Sequence, residues 1–162
     1  MSPISPAELE AAYREHGDAV YRQARLILRN PADADEVVQS SFERAFAHRD
    51  RFDAGRSVRA WLLGIASHEA LHLARRNRVR AWLPLSGREP DQRPRSSTVW
   101  QAVARLPARN RAVIGLVYLH GYSLQEVAVI LEIPPGTVGS RLHSARRALR
   151  TVLTDQPEEV LA

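Results

Sequence analysis

His68, Glu69 and His72, within "SHEALH" at positions 67–72, match the spacing H-E-x-x-H. On a helix the two imidazoles stand one turn apart and point the same way, as two zinc ligands must. Glu69 would then be the general base on a metal-bound water. The surrounding positions do not complete such a site. The longer zinc pattern needs glycine at 75 and histidine at 78, and both are arginine. A third ligand would have to come from Glu89 or further away, and no strand-like segment offers a substrate-binding edge. Zinc hydrolysis therefore stands as a remote alternative; no catalytic residue, metal ligand or cofactor is assigned.

Immediately after the motif, residues 75–80 read "RRNRVR", with four arginines, and residues 141–150 carry four more with no acid. All 23 basic residues are arginine, and the formal net charge is +5. The acids gather elsewhere: ten lie between positions 8 and 53. One basic cluster is ordinarily a solvated face. Two in separate segments point to a polyanion, because each phosphate contact releases counterions. The absence of cysteine excludes disulfides and thiolate chemistry. No apolar run approaches the ~18 residues of a membrane span, and "MSPISPAELE" lacks the build of a secretory signal. A cytoplasmic protein without membrane contact is expected.

The elements that carry these residues read as helices throughout, with no convincing period-two alternation. From Leu9 to Arg80 the pattern is continuous. Tyr13, Val20, Ala24 and Leu28 mark a first apolar face, stopped by "RNP" at 29–31. Asp33, Asp35 and Glu36 open a second helix, whose apolar positions are Val38, Phe42, Ala45 and Phe46. Ser57 caps a third, with Val58, Leu62, Ala66 and Leu73 inward and the two histidines flanking that stripe. Residues 82–97, "WLPLSGREPDQRPRSS", change texture and read as a flexible linker. The expectation is an all-α protein of two small helical domains, residues 1–80 and 98–156, joined by residues 81–97.

In the second half, "TVWQAVARLP" ends at Pro107, and the next helix ends at Gly121. Ser123 and Glu126 form a capping box for a short helix reaching about Leu131. "EIPPG" turns the chain, and Pro135 suits the first turn of a last helix to about Leu153. A short helix, a tight turn and an arginine-bearing helix make a helix-turn-helix. Val138, Leu142, Ala145 and Leu149 face inward; Thr137, Ser140, Arg141, Ser144 and Arg147 lie nearer solvent, where a DNA groove would be. A plain three-helix bundle would show the same periodicity.

These residues also carry a family likeness. Residues 106–150, "LPARNRAVIGLVYLHGYSLQEVAVILEIPPGTVGSRLHSARRALR", resemble region 4 of the extracytoplasmic-function (ECF) sigma factors of bacterial RNA polymerase. "ADADEVVQSSFERAF" (32–46) resembles region 2.2, and "VRAWLLGIA" (58–66) is similar to the W-L-x-x-I-A signature of that family. Three motifs stand in the expected order across residues 9–153. The resemblance implies that Asp35, Glu36, Gln39 and Phe42 dock on core polymerase. It implies that the third helix opens the −10 element, with Trp61, His68, His72, Arg75 and Arg76 along the path of the single strand. Region 4, through Thr137, Ser140, Arg141, Ser144 and Arg147, would read the −35 element. Promoter DNA, core RNA polymerase and an anti-sigma factor are the implied partners.

Departures from the family pattern sharpen the expectation. His68 and His72 occupy positions where asparagine and aspartate are usual, which bears on −10 preference and on melting. Gly139 replaces a common basic residue, and Glu132 stands where the turn usually has glycine. Arg141, Arg146 and Arg147 remain to hold DNA. A helix-turn-helix regulator acting without polymerase is the main rival, though it leaves the first half unexplained. A sigma-like protein that cannot melt DNA is another.

Overall fold

The computed structural model describes residues 3–82 and 98–155, and the chain divides into two compact units, Met1–Ser86 and Gly87–Ala162. Every regular element among the described residues is helical. Apart from Ala81 and Trp82, the expected linker lies outside the described residues, as does Glu89.

The first unit packs α1 (Pro6–Leu28), α2 (Pro31–Ala47) and α3 (Val58–Ala81) against one another, with a short 3-10 turn at Arg49–Arg51. Helix α1 begins earlier than its apolar periodicity predicts. Ser5 and Glu8 exchange side-chain and backbone hydrogen bonds in a capping box, and Pro6 pre-sets the first turn. Ile4 and Leu9, on either side of that cap, are both buried, the spacing of a hydrophobic staple. Arg29, in the left-handed region at φ 61°, ends the helix.

Helix α2 corrects the sequence reading in register. Its buried residues are Asp33, Ala34, Val37, Ser41 and Ala45. Val38 and Phe42 are half-buried and Phe46 is 48% exposed. The cap is Asn30, whose side chain accepts from the Asp33 amide at 3.2 Å. Asp33 itself turns inward instead of serving as a solvent-facing helix-end charge. Similarly, Tyr13 on α1 is exposed, while Leu28 and Val58 are half-buried at the edge of the core. The core consists of Val20, Ala24, Ile27, Val37, Leu62, Leu63, Ala66 and Ala70, each at most 2% exposed. Burying a Leu or Ile side chain contributes about 1.5–3 kcal/mol, so these contacts outweigh any intrinsic preference of the individual helices.

In the second unit, α4 (Thr98–Ala104) and α5 (Ala108–Ile114) precede a π-helical turn at Gly115–Leu119. There the His120 amide bonds the Gly115 carbonyl at 3.1 Å. Gly121, at φ 76°, turns the chain into α6 (Leu124–Leu131), which opens on the expected Ser123–Glu126 capping box. Helix α7 (Pro135–Asp155) follows, with Val138, Leu142 and Ala145 buried and Leu149 half-buried.

Candidate nucleic-acid interface

Helix α3 presents the first surface. Ser57 caps it, its side chain accepting from the Ala60 amide at 3.3 Å. Leu62, Leu63, Ala66, Ala70 and Leu73 fix one side in the core, so His68, His72, Arg75 and Arg76 fall on the exposed side. At 100° per residue, Trp61, His68 and His72 lie within about 40° of one another, and the stripe to Arg76 is about 22 Å long. Trp61 is half-buried: its ring packs on Phe52, 5.0 Å between centroids, in the loop before the helix. Phe52 is itself buried, which seats the indole at the base of that loop.

Two contacts absent from the sequence reading orient this helix. Asn77 Nδ2 donates to the buried Asp33 carboxylate at 3.0 Å, so the arginines beside it, Arg76 and Arg78, are turned to solvent. Glu69 pairs with Arg44 of α2, 2.9 Å between Oε1 and Nε. The residue that would serve as zinc-site base is thus bound across the α2–α3 interface. No group of three or more His, Cys, Asp or Glu side chains able to hold a metal occurs among the described residues.

Helix α2 shows a face of opposite charge. Asp35, Glu36, Gln39 and Glu43 are exposed, and Gln39 donates to Glu43 at 3.0 Å. Phe42 meets Tyr13 of α1 edge-on at 4.8 Å, and the guanidinium of Arg49 lies 4.7 Å over the Phe46 ring. Carboxylates beside half-exposed aromatics make a surface suited to a basic, partly apolar partner. Tyr13 and Phe46 belong to this face. The sequence reading had given both to the core.

On α7, Thr137, Ser140, Arg141, Ser144 and Arg147 share an arc of about 120° opposite or flanking the buried stripe. Ser140, Ser144 and Arg147 are exposed; Thr137 and Arg141 are half-buried. Burial, and secondarily the charge of Arg109, pulls the Arg141 pKa below the usual guanidinium range. Arg146 lies on the other flank, its Nε donating to the Tyr118 hydroxyl at 2.7 Å. It therefore stands apart from the arc that holds Arg141 and Arg147.

The relatives of the chain decide what these faces belong to. Residues 12–80 match the family model for sigma-70 region 2, and residues 96–149 match that for sigma-70 region 4. The ECF RNA polymerase sigma factor SigL of Mycobacterium tuberculosis is 34% identical, over 92% of this chain and 90% of that protein. SigW of Bacillus subtilis, also an ECF RNA polymerase sigma factor, is 32% identical over 85% and 84%. The chain belongs to the ECF sigma factors.

Among solved structures, the sigma factor RpoE, crystallised with the anti-sigma factor NepR from Bartonella quintana, superposes with a TM-score of 0.72 at 25% identity, covering 91% of this chain and 97% of that one. CnrH, solved with the cytosolic domain of CnrY, gives 0.68 at 25% identity, over 94% and 91%. In sigma-factor terms, α1–α3 form region 2 and α4–α7 form region 4, whose L-P-x-x-x-R motif places Arg111. That arginine is buried, and its Nη1 donates to the carbonyl of Leu106 and, at 3.4 Å, to that of Ala104. It ties the α4–α5 turn together, a structural role that charge counting did not separate from DNA contact.

Proposed function

We propose that this ECF sigma factor binds core RNA polymerase through the α2 face of region 2 and recruits it to promoters read by α3 and α7. The observation that carries the reading is the opposition of charge within one small unit. Helix α2 exposes Asp35, Glu36 and Glu43, whereas α3 exposes Arg75, Arg76, Arg78 and Arg80. An acidic rim beside aromatics suits a basic protein surface. Arginines in line with Trp61 suit an unpaired strand, whose bases stack on aromatic rings and whose phosphates need cations. His68 and His72 stand in that line and supply ring donors and stacking faces where the family usually carries an amide and a carboxylate. Helix α7 offers hydroxyls and arginines toward duplex DNA at the −35 element.

The chemistry of RNA synthesis stays with the polymerase; the sigma factor supplies selection and melting. It acts where core polymerase is, in the cytoplasm, and no helix among the described residues is long and apolar enough to cross a membrane. An anti-sigma partner is inferred from RpoE, which was crystallised with one.

Run-off transcription with purified core polymerase on fragmented genomic DNA tests the reading. Discrete new transcripts sharing two upstream elements are expected only when the chain is added. His68→Asn should shift the preferred −10 bases and leave the −35 element unchanged. Co-elution with core but no transcript would favour a sigma-like factor unable to melt DNA. Failure to bind core would overturn the proposal.

A further inference from the structure

Helix α3 carries one acid, Glu69, among five arginines. At 100° per residue, Glu69, Arg76 and Arg80 fall within about 40° of one another, and His72 borders them. They form a row along the flank of α3 from which Glu69 reaches Arg44 of α2. Arg76 and Arg80 are exposed, and Glu69 is half-buried. Two turns before Arg76, then, the row meets a carboxylate. Left alone, that charge would repel the phosphates that the arginines attract.

Arg44 changes the balance. Its Nε lies 2.9 Å from Glu69 Oε1. On α2 it stands about 100° round from Glu43 and further still from Asp35 and Gln39, away from the acidic face. The Arg44 side chain remains 58% exposed although Glu69 is only 21% exposed. A guanidinium has five N–H donors in a rigid fork, so bonding through Nε leaves the terminal nitrogens able to meet a second anion. Ion pairs with an exposed partner contribute little to stability. What this pair does alter is the charge presented at the edge of α3.

We propose that Arg44, oriented by Glu69, contacts a backbone phosphate of promoter DNA and extends the row of Arg80 and Arg76 by one position. This rests on the reading of α3 as the promoter-facing helix. Glu69 is a positioning residue: it accepts from Nε and turns the rest of the fork toward the strand, in the geometry by which guanidinium groups match phosphate oxygens. Along α3 the row spans about 16 Å, or about five nucleotides of a stacked strand at ~3.4 Å each. The partner chemistry is a phosphodiester. Such a contact carries no sequence information; it fixes the register in which His68 and His72 meet the bases. Helix α2 then offers its acidic face to polymerase and its Arg44 edge to DNA.

The test measures binding of the holoenzyme, assembled from the full chain and core polymerase, to promoter fragments recovered by run-off transcription. Each fragment is used as a duplex and with its −10 segment opened by mismatches, across a salt series. Arg44→Gln should weaken binding about 3- to 10-fold and lower the slope of log affinity against log salt by about one. Loss on the opened fragment alone assigns the phosphate to the single strand, and equal loss on both assigns it to the duplex; either supports the contact. Arg44→Gln combined with Glu69→Gln should stay weaker than wild type, with the slope still lowered. Full recovery in that double variant would show that Arg44 only neutralises Glu69, and would overturn the contact. A lower melting temperature of the free chain with an unchanged salt slope would make the pair a structural tie and overturn it too. So would weaker binding of Arg44→Gln to core polymerase without DNA. Unchanged DNA binding in Arg44→Gln, with a loss in Arg76→Gln, overturns the contact and leaves the α3 reading intact. Unchanged binding in both overturns both.

Discussion

Arg111 shows how one buried charge governs a turn. Its guanidinium satisfies two carbonyls at the end of α4 and in the turn that follows, and it is 9% exposed. Hydrogen bonds to a charged donor contribute about 1.5–3 kcal/mol, and removing the donor also strands the buried acceptors. Arg111→Met should destabilise region 4 by about 2–4 kcal/mol, read as a lower denaturant midpoint with an unchanged slope. Methionine keeps the apolar stem but lacks the guanidinium, so a loss of that size would report the missing hydrogen bonds together with the volume of that group. Motif likeness marks this arginine in the sequence, but neither charge nor spacing distinguishes it from Arg109, two residues earlier and exposed. Asp33 poses the same difficulty. It stands where an acid favours a helix start, yet its carboxylate is buried against Asn77, a residue 44 positions away.

The caps and turns of individual elements were the most legible features, because the residues that make them are neighbours in the chain. Ser57 and the Ser123–Glu126 box stand as the spacing predicts. The Ser5–Glu8 box carries the same signature, and its polar first turn hides it from an apolar-period reading. The Ser5 backbone amide, and then its hydroxyl, hold the Glu8 carboxyl below the usual glutamate range. A carboxyl with a lowered folded pKa contributes stability above its unfolded pKa and loses it as pH falls through the folded value. Glu8→Gln should therefore weaken the acid-side pH dependence of stability, seen as a smaller drop in melting temperature between pH 7 and strongly acidic solution.

Two α6–α7 positions invite opposite corrections. Glu132 ends α6 at φ 54°, where a non-glycine residue is strained; Glu132→Gly should stabilise region 4 by about 0.5–1 kcal/mol. An added Cβ at Gly139 meets no atom within 4 Å, so Gly139→Ala should gain about 1 kcal/mol of helix stability. Denaturant titrations of the two variants check both signs.

Across the whole chain, contacts gather into two units, each with its own apolar centre. Residues 1–86 hold all of α1–α3 and their core, including the fully buried Leu62 and Leu63. Expressed alone, they should unfold in a single cooperative transition on heating. Leu62→Ala should lower that stability by about 2–5 kcal/mol through the cavity it leaves. The same substitution in the full chain should leave the transition of residues 87–162 in place. Calorimetry that found one transition, shifted as a whole, would mean that the units are thermodynamically coupled.

By itself the sequence determined the all-helical class, the helix-turn-helix and the side of α7 that carries hydroxyls and arginines. All three rest on spacing along one helix and on caps made by residues a few positions apart. The tertiary structure alone decided which face of α2 lies inward, how Glu69 is employed and which arginine is buried to hold a turn. Periodicity gives the angle between two side chains about their own helix axis. It does not say which angle points at a neighbouring helix. Val38, Phe42 and Phe46 make as good a stripe as Val37, Ser41 and Ala45, and the packing of α1 and α3 chose the second. Similarly, Glu69 meets Arg44, and Asn77 meets Asp33, because helices distant in sequence fold against each other.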